Sequence, residues 1–454
     1  MMRGVELGSS SVHMLKTIEA IDRGNRGALA FMKKFVLASY GTRGDVEPCV
    51  VIGRELQRRG HEVRLAVPPD LVGFVESAGL EAVGYGVDTQ DPVEAARDFF
   101  AAFFRSFWKI PDLIVLWRNV WEPASRCWEQ MSKTLTSLTD GADVLLAAQT
   151  YQELAANVAE YHDIPLATLH YFPLRPNGRI VPSLPSPAVR AAMKVNDWLY
   201  WLVTKRAEDE QRHELGLPKA TAPPAQRIAG MASLEMQGYD EVCFPGLAAE
   251  WAKWSSRRPF VGTLTMELAT AADGEVASWI AAGTPPIYFG FGSIAVESPA
   301  ETVAMISEAC AQLGERALIC AGWSDFSDVE LAEHVKVVGT VNYATIFPTC
   351  RAVVHHGGAA TTPIGLRAGV PTLILWTMPE QSYWGAQVKQ LKVGFSRRFS
   401  RTTRETLVAD LRRILAPEYV ARASEIATVV TKPAASCLDA ADLVEGLANQ
   451  KTSN

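Results

Sequence analysis

Short apolar runs recur along this chain, and most of them give way first to small residues and then to a segment of helical periodicity. Lys33-Lys34-Phe35-Val36-Leu37-Ala38-Ser39-Tyr40 reads as a buried strand, followed by the turn Gly41-Thr42-Arg43-Gly44-Asp45 and a helix from about Val46 to Arg59, which Gly60 ends. Val63-Arg64-Leu65-Ala66-Val67-Pro68 is a second strand, so the opening is a βαβ unit with a parallel sheet. The pattern repeats in Asp143-Val144-Leu145-Leu146-Ala147, a helix through Tyr161, and Pro165-Leu166-Ala167-Thr168-Leu169. Leu217 to Gln226 reads as a surface loop, and Glu235 to Phe244 as the last strand of this half. A fresh strand, Pro286-Ile287-Tyr288-Phe289-Gly290, opens a second half. Its first helix has a legible start: Ser298 as N-cap, Pro299 next, Glu301 at the capping-box position, then Val303, Ile306, Cys310 and Leu313 on one face. Leu318-Ile319-Cys320, Val335-Lys336-Val337-Val338, Ala352-Val353-Val354 and Thr372-Leu373-Ile374-Leu375-Trp376 add strands.

Two successive α/β halves of this kind predict two doubly wound parallel-sheet domains facing a central cleft. The expected division is an N-terminal extension over 1–32, a first domain over 33–265, a polar, small-residue linker over 266–274, a second domain over 275–430, and a C-terminal helix and tail over 431–454. The extension has no apolar stretch long enough for a signal peptide, so translation from Met32 is an alternative to Met1. The most lipophilic segment, Phe99 through Trp121, is broken by Arg105, Lys109, Asp112 and Arg118 and is not expected to span a membrane.

Composition narrows the classes. A chain of 454 residues exceeds what one core usually organises, and 48% hydrophobic with 21% charged residues is ordinary for a globular protein. The net charge of −6, with scattered basic residues, gives no footprint for nucleic acid. Seven cysteines without a CxxC pair, mostly within apolar segments, read as reduced core residues of a cytoplasmic protein.

The sharpest local signal is His355-His356-Gly357-Gly358-Ala359-Ala360-Thr361-Thr362, between a strand and Pro363-Ile364-Gly365-Leu366-Arg367-Ala368-Gly369. It predicts a helix whose free N–H groups at Ala359 to Thr362 open into the cleft, and such a helix end binds anions. An imidazole beside it is what a diphosphate leaving group needs. His355 is the weaker of the two histidines, read as a packed strand-end residue. In the first βα turn Asp45 stands where ligands meet the carboxyl edge of a sheet, so it is either a helix cap or a base for an incoming hydroxyl, with Arg43 a phosphate clamp. Phe289-Gly290-Phe291-Gly292-Ser293 brings Ser293 toward the same cleft, and Glu380-Gln381 offers groups suited either to sugar hydroxyls or to a helix N-terminus. No DxD, HExxH or CxxC arrangement is present, so neither a catalytic metal nor a cofactor is expected.

Taken together, Gly41-Thr42-Arg43-Gly44-Asp45-Val46-Glu47-Pro48, Phe289 to Ser293 and the span from His355 through Gln387 resemble inverting GT-B glycosyltransferases, the group of sterol glucosyltransferases and vancomycin-type antibiotic glycosyltransferases, over about residues 33 to 430. The resemblance implies that Asp45 is the base and that His356 holds the diphosphate. It further implies that Ser293 and Ala359, Ala360 and Thr361 contact phosphate, that Gly292 and Gly358 help bind the donor, that Thr42 and Arg43 approach it from the first domain, and that Glu380 and Gln381 hold the sugar. Ala38 to Arg43 and Cys243 to Trp251 are also similar to mycobacterial glycosyltransferases associated with glycopeptidolipids. Two departures stand out: Ala360 replaces a glycine, adding a methyl where backbone approaches phosphate, and Thr345 stands where sterol enzymes often carry a tryptophan before the pair matching Phe347-Pro348.

The expectation is therefore metal-free, inverting transfer from UDP-glucose or a dTDP-deoxysugar, bound mainly by the second domain, to a hydroxyl of a hydrophobic acceptor such as a glycopeptidolipid, a sterol or another lipid or aglycone. Aromatic residues from 99 to 128 are either the acceptor pocket or plain core. Peripheral contact with the inner membrane surface fits a lipid acceptor. The rivals are a sugar-nucleotide epimerase of the same architecture and a non-catalytic lipid- or nucleotide-binding protein.

Overall fold

The computed structural model describes residues 32–90, 92–96, 99, 127–231, 233–292, 298–322, 326 and 329–451. The first half forms one six-stranded sheet: β1 Lys34–Ala38, β2 Glu62–Val67, β3 Glu81–Gly84, β4 Val144–Ala147, β5 Leu166–His170 and β6 Leu234–Gln237, in the order β3-β2-β1-β4-β5-β6. The second forms another: β7 Ile287–Gly290, β8 Ala317–Cys320, β9 Val335–Val338, β10 Ala352–His355, β11 Thr372–Trp376 and β12 Gly394–Arg398, in the order β12-β11-β10-β7-β8-β9. Every pairing is parallel. The two orders are the same winding. Each half has a switch point where the chain reverses direction across the sheet, between β1 and β4 and between β7 and β10, and that is where doubly wound sheets bind ligands.

β4 is apolar throughout, and β1 is so after Lys34, because helices cover both faces of the sheet. The helices that matter below are α1 Arg43–Arg58, α2 Gln152–Tyr161, α3 Ser186–Glu214, α4 Pro299–Leu313, α5 Thr361–Ala368, α6 Pro379–Gln390 and α7 Pro433–Lys451. α7 returns to the first half: Ala440, Ala441, Val444 and Ala448 complete its core, and Arg59 Nη1 pairs with Asp442 at 2.6 Å and Glu445 at 2.7 Å.

Several sequence expectations need correction. β6 ends at Gln237 rather than Phe244, because Tyr239, Phe244 and Trp251 leave the first sheet to bury against Ile374, Trp384 and Val388 of the second half. The Leu217–Gln226 loop gives way to a short helix, Pro224–Gly230, that starts on a proline. The polar run 266–274 ends inside the helix Asp273–Ala281, whose first turn is held by Thr270 Oγ1 donating to Asp273 Oδ1 at 2.7 Å. Ser298 precedes α4 as read, but its side chain makes no cap hydrogen bond. All seven cysteines are free, six of them buried. Of the 99–128 aromatic segment only Phe99, Cys127 and Trp128 are described, and Trp128 is buried, its indole N–H donating to Gln211 Oε1 at 3.2 Å. Residues 1–31 also lie outside the described residues. No helix among the described residues is long and apolar enough to cross a membrane.

Candidate active site

The β1–α1 turn and the β10–α5 turn, each at its switch point, meet across the cleft. A Cβ on Gly44 would touch the Ala360 methyl at 3.7 Å, so the first turns of α1 and α5 stand against each other. Thr42 caps α1 and Asp45 occupies the third helical position. The Thr42 N–H donates to Asp45 Oδ2 at 2.8 Å and the Thr42 hydroxyl donates to the same oxygen at 3.1 Å. Asp45 is thus the acidic member of a capping box, not the N-cap itself. Its own carbonyl accepts from Ser39 Oγ at 2.9 Å and Tyr171 Oη at 2.5 Å, which pins the turn from β1 and from the end of β5. Burial pushes the Asp45 carboxyl up to about 6, against the two Thr42 hydrogen bonds that hold it down.

Gly41 makes this geometry available. Its φ is +141°, and a Cβ there would collide with the Asp45 carboxylate. Gly41→Ala is therefore expected to cost about 1–3 kcal/mol of stability and to lower turnover more than tenfold by displacing the carboxylate. Thermal unfolding beside steady-state kinetics checks both parts, and parent-like turnover would remove Asp45 from the chemistry.

On the other wall, β7 ends at Gly290 and Gly292 follows with φ +63°, where a Cβ would collide with the His356 ring. A Cβ on Gly358 would likewise collide with that imidazole, 2.6 Å from its Nε2. Burial pushes His356 down to about 4, opposed by the Gly290 backbone, so at neutral pH the ring is an uncharged donor. Its Nδ1 has no hydrogen-bond partner among the described residues. His355 is different: it is 2% exposed, and its Nδ1 accepts from the Gly357 N–H at 3.0 Å, as a packed strand-end residue would. At α5, the Thr362 N–H donates to Gly358 O at 3.0 Å and is therefore unavailable, contrary to expectation. The N–H groups of Ala359, Ala360 and Thr361 take part in none of the hydrogen bonds found among the described residues. Gly369, at φ +72°, ends the helix where the sequence places the stop.

The remaining candidates divide. Glu380, in the first turn of α6, feels the Asp45 charge, and burial pushes its carboxyl up to about 7. It therefore shares the Asp45 environment. Gln381 is a capping residue: its Oε1 accepts from the N–H groups of Thr377 at 2.8 Å and Met378 at 3.0 Å. Arg43 is engaged within its own half, stacked 4.7 Å from the Phe74 ring centroid and bonded to Glu47 at 3.4 Å. Thr345 Oγ1 donates to Asn342 O at 3.0 Å. Ser293 lies outside the described residues. Among the described residues no group of three or more His, Cys, Asp or Glu side chains could hold a metal ion.

Sequence reasoning missed the groups that close the cleft. Phe172 meets Tyr383 across it with ring centroids 6.1 Å apart, and Gln387 Nε2 donates to Arg179 O at 3.3 Å and Ile180 O at 3.4 Å. Tyr40 and Tyr151 pack edge to face at 5.4 Å along the carboxyl edge of the first sheet, Tyr151 at φ +59°. For Tyr40 and Phe172 the available signal was their position just after strand ends; Tyr383 and Gln387 lie inside α6 and carry no such signal. Nothing in local periodicity says which of them meet.

Residues 35–175 match the model of the glycosyltransferase family 28 N-terminal domain, and residues 317–438 match the C-terminal domain of erythromycin biosynthesis protein CIII-like proteins. An uncharacterized glycosyltransferase of Mycobacterium tuberculosis is 59% identical over 420 residues, covering 92% of this chain and 99% of its own length. A sterol 3-beta-glucosyltransferase of Arabidopsis thaliana is 27% identical over 419 residues, 87% of this chain and 65% of the plant protein. Among solved structures, the glycotransferase of kitacinnamycin superimposes with a TM-score of 0.67 at 18% identity, over 92% of this chain and 99% of the other. The spinosyn rhamnosyltransferase SpnG complexed with thymidine diphosphate does so with 0.60 at 17% identity, over 90% and 99%.

Proposed function

Because the chain belongs to the GT-B glycosyltransferases that join a family 28 N-terminal domain to an EryCIII-like C-terminal domain, we propose that it carries a sugar from a nucleoside diphosphate to a hydroxyl of a hydrophobic acceptor, inverting the anomeric centre. The observation that carries this reading is the apposition of the first turn of α1, which holds Asp45, with the start of α5, which follows His356. The acceptor hydroxyl attacks the anomeric carbon from the side of the first domain, and Asp45 takes its proton. The bond to the diphosphate breaks on the opposite side, where the neutral imidazole of His356 and the N–H groups of Ala359 to Thr361 receive the developing charge. Glu380 is positioned for the sugar hydroxyls. In this scheme residues 33–265 serve the acceptor and 275–430 the donor.

The sterol 3-beta-glucosyltransferase relative supports a glucosyl donor and a lipid acceptor, whereas the thymidine diphosphate of the spinosyn enzyme supports a dTDP-sugar. A thermal-shift panel of UDP, dTDP and their sugars separates them, since a ligand at 100 times its dissociation constant stabilises by about 2.7 kcal/mol. Transfer to lipid acceptors is then assayed with the donor that binds. Stabilisation by none of these nucleotides would overturn the donor reading.

Transfer should persist in EDTA, because a helix N-terminus and an imidazole receive the diphosphate charge without a divalent ion. Loss of activity in EDTA with rescue by Mn²⁺ or Mg²⁺ would refute this.

A further inference from the structure

α3 runs for 29 residues, yet it buries only Val189, Thr204, Glu208, Gln211 and Arg212. Its inward side is largely polar: Tyr200 Oη donates to Glu153 Oε1 at 2.7 Å, and Gln211 Nε2 donates to Leu154 O at 3.2 Å. Apart from Val189, Met193 and Trp201, its large apolar side chains are on the other side. Val195, Trp198, Leu199 and Leu202 are 48–55% exposed, and their spacing of three, four and seven places them on one stripe. Exposed Ala188, Ala191 and Ala192 extend that stripe toward the start of the helix. From Ala188 to Val203 it is about 22 Å long. Single exposed apolar residues are common, but a contiguous stripe of this length on a surface helix marks a contact surface.

Charge decides among contacts. The chain has a net charge of −6, but residues 186–206 carry Arg190, Lys194, Lys205 and Arg206 against the single acid Asp197; Arg190 pairs with Glu250 at 2.6 Å, while Lys205 and Arg206 make i,i+4 surface pairs with Asp209 at 3.1 Å and Glu210 at 3.0 Å, which hold their charge only weakly. Asp197 is only partly exposed and feels the buried Arg175, so it belongs to the inward side. The other acids of α3 begin at Glu208, past Val203, and two of them, Asp209 and Glu210, are the partners of Lys205 and Arg206. Lys194 is exposed and forms no ion pair among the described residues. A Trp- and Leu-bearing stripe bordered by cations, on a helix whose other side is polar, lies in the plane of a membrane surface rather than across it.

We propose that the exposed stripe of α3 docks the protein on an anionic phospholipid surface. The benefit of docking rests on the hydrophobic-acceptor reading. Tyr200 ties α3 to Glu153 in the first turn of α2, and α2 begins at the carboxyl edge of the first sheet, the edge that carries Asp45. A docked α3 therefore sets the acceptor side of the cleft beside the lipid.

The test is co-sedimentation of the full chain with vesicles of phosphatidylcholine alone or mixed with phosphatidylglycerol, without donor or acceptor. Binding to the mixed vesicles should be about tenfold or more stronger than to phosphatidylcholine and should weaken with salt. Trp198→Glu with Leu202→Glu should lower it by about 10²-fold at an unchanged unfolding temperature, and Lys194→Glu should lower it several-fold. Binding that persists in the double variant, or a parent that ignores both vesicles, would overturn the proposal. So would a parent that dimerises through this stripe without binding vesicles. Because the vesicles carry no substrate, failure of the acceptor reading leaves this result intact, and the converse holds as well.

Discussion

Asp45→Asn should slow glycosyl transfer by roughly 10²- to 10⁴-fold while leaving the fold and donor binding near normal. The reason lies in what the carboxylate does structurally. In the capping box it only accepts hydrogen bonds, from the Thr42 N–H and hydroxyl, and the amide oxygen of asparagine can accept both. What asparagine cannot do is take a proton. The substitution therefore separates two roles that one side chain combines, and Asp45→Ala, which removes both, serves as its reference. Transfer within a few-fold of the parent in Asp45→Asn, with stability and activity both lost in Asp45→Ala, would reduce Asp45 to a cap.

The pH dependence follows from the same burial. With its carboxyl raised to about 6, Asp45 binds its proton more tightly in the folded chain than in the unfolded one. Its contribution to stability is therefore fully present below about pH 4 and is lost as pH rises toward 6. Activity runs the other way, because a base must be unprotonated: turnover should climb through pH 6 and level off above it. His356 has the opposite shift. With its folded value near 4, its contribution is present above about 6.5 and is lost as pH falls toward 4, so the ring stays neutral over the range where Asp45 titrates. Asp45→Asn should accordingly abolish the inflection near 6 in the residual rate, whereas substitution at His356 should leave it in place.

How much of this was legible along the chain depended on how local the cause was. The strands read from apolar runs, the stop at Gly369 and the placement of Asp45 and His356 at strand ends follow from residues within a few positions of each other, and they appear in the structure, although β6 is shorter than read and the edge strands β3 and β12, whose sequences are less apolar, are not among those the sequence predicts. Capping was local too, but ambiguous: Thr42 and Asp45 both have capping side chains, and only the backbone shows that Thr42 takes the cap and Asp45 the third position. The fate of Tyr239 to Trp251 was not legible. Those residues are apolar enough for a strand in the first sheet, and burial against Trp384 and Val388 of the other half, more than a hundred residues away, wins instead. The same holds for Gln381, whose amide suits a sugar hydroxyl as well as it suits the Thr377 and Met378 N–H groups that occupy its oxygen. The exposed stripe of α3 could not be recognised either, since periodicity alone does not say which side of a helix meets the core.

His356→Ala should lower turnover at saturating donor by about 10²-fold, the usual cost of losing one donor to a developing negative charge. The fold should survive, because the ring packs against Gly292 and Gly358, its Nδ1 has no partner among the described residues, and only its interaction with the Gly290 backbone is lost. The effect should fall on turnover more than on donor KM. A neutral imidazole gains most from the diphosphate as its charge grows in the transition state, and less from the intact donor, which the α5 N–H groups also hold. The ring is placed by exclusion as much as by bonding, so Gly292→Ala gives an independent check: a Cβ there displaces the imidazole without deleting it, and the two variants should show similar losses that do not add. Turnover unchanged in His356→Ala, or losses that add in the double variant, would take the leaving group away from this histidine and leave the start of α5 to receive it alone.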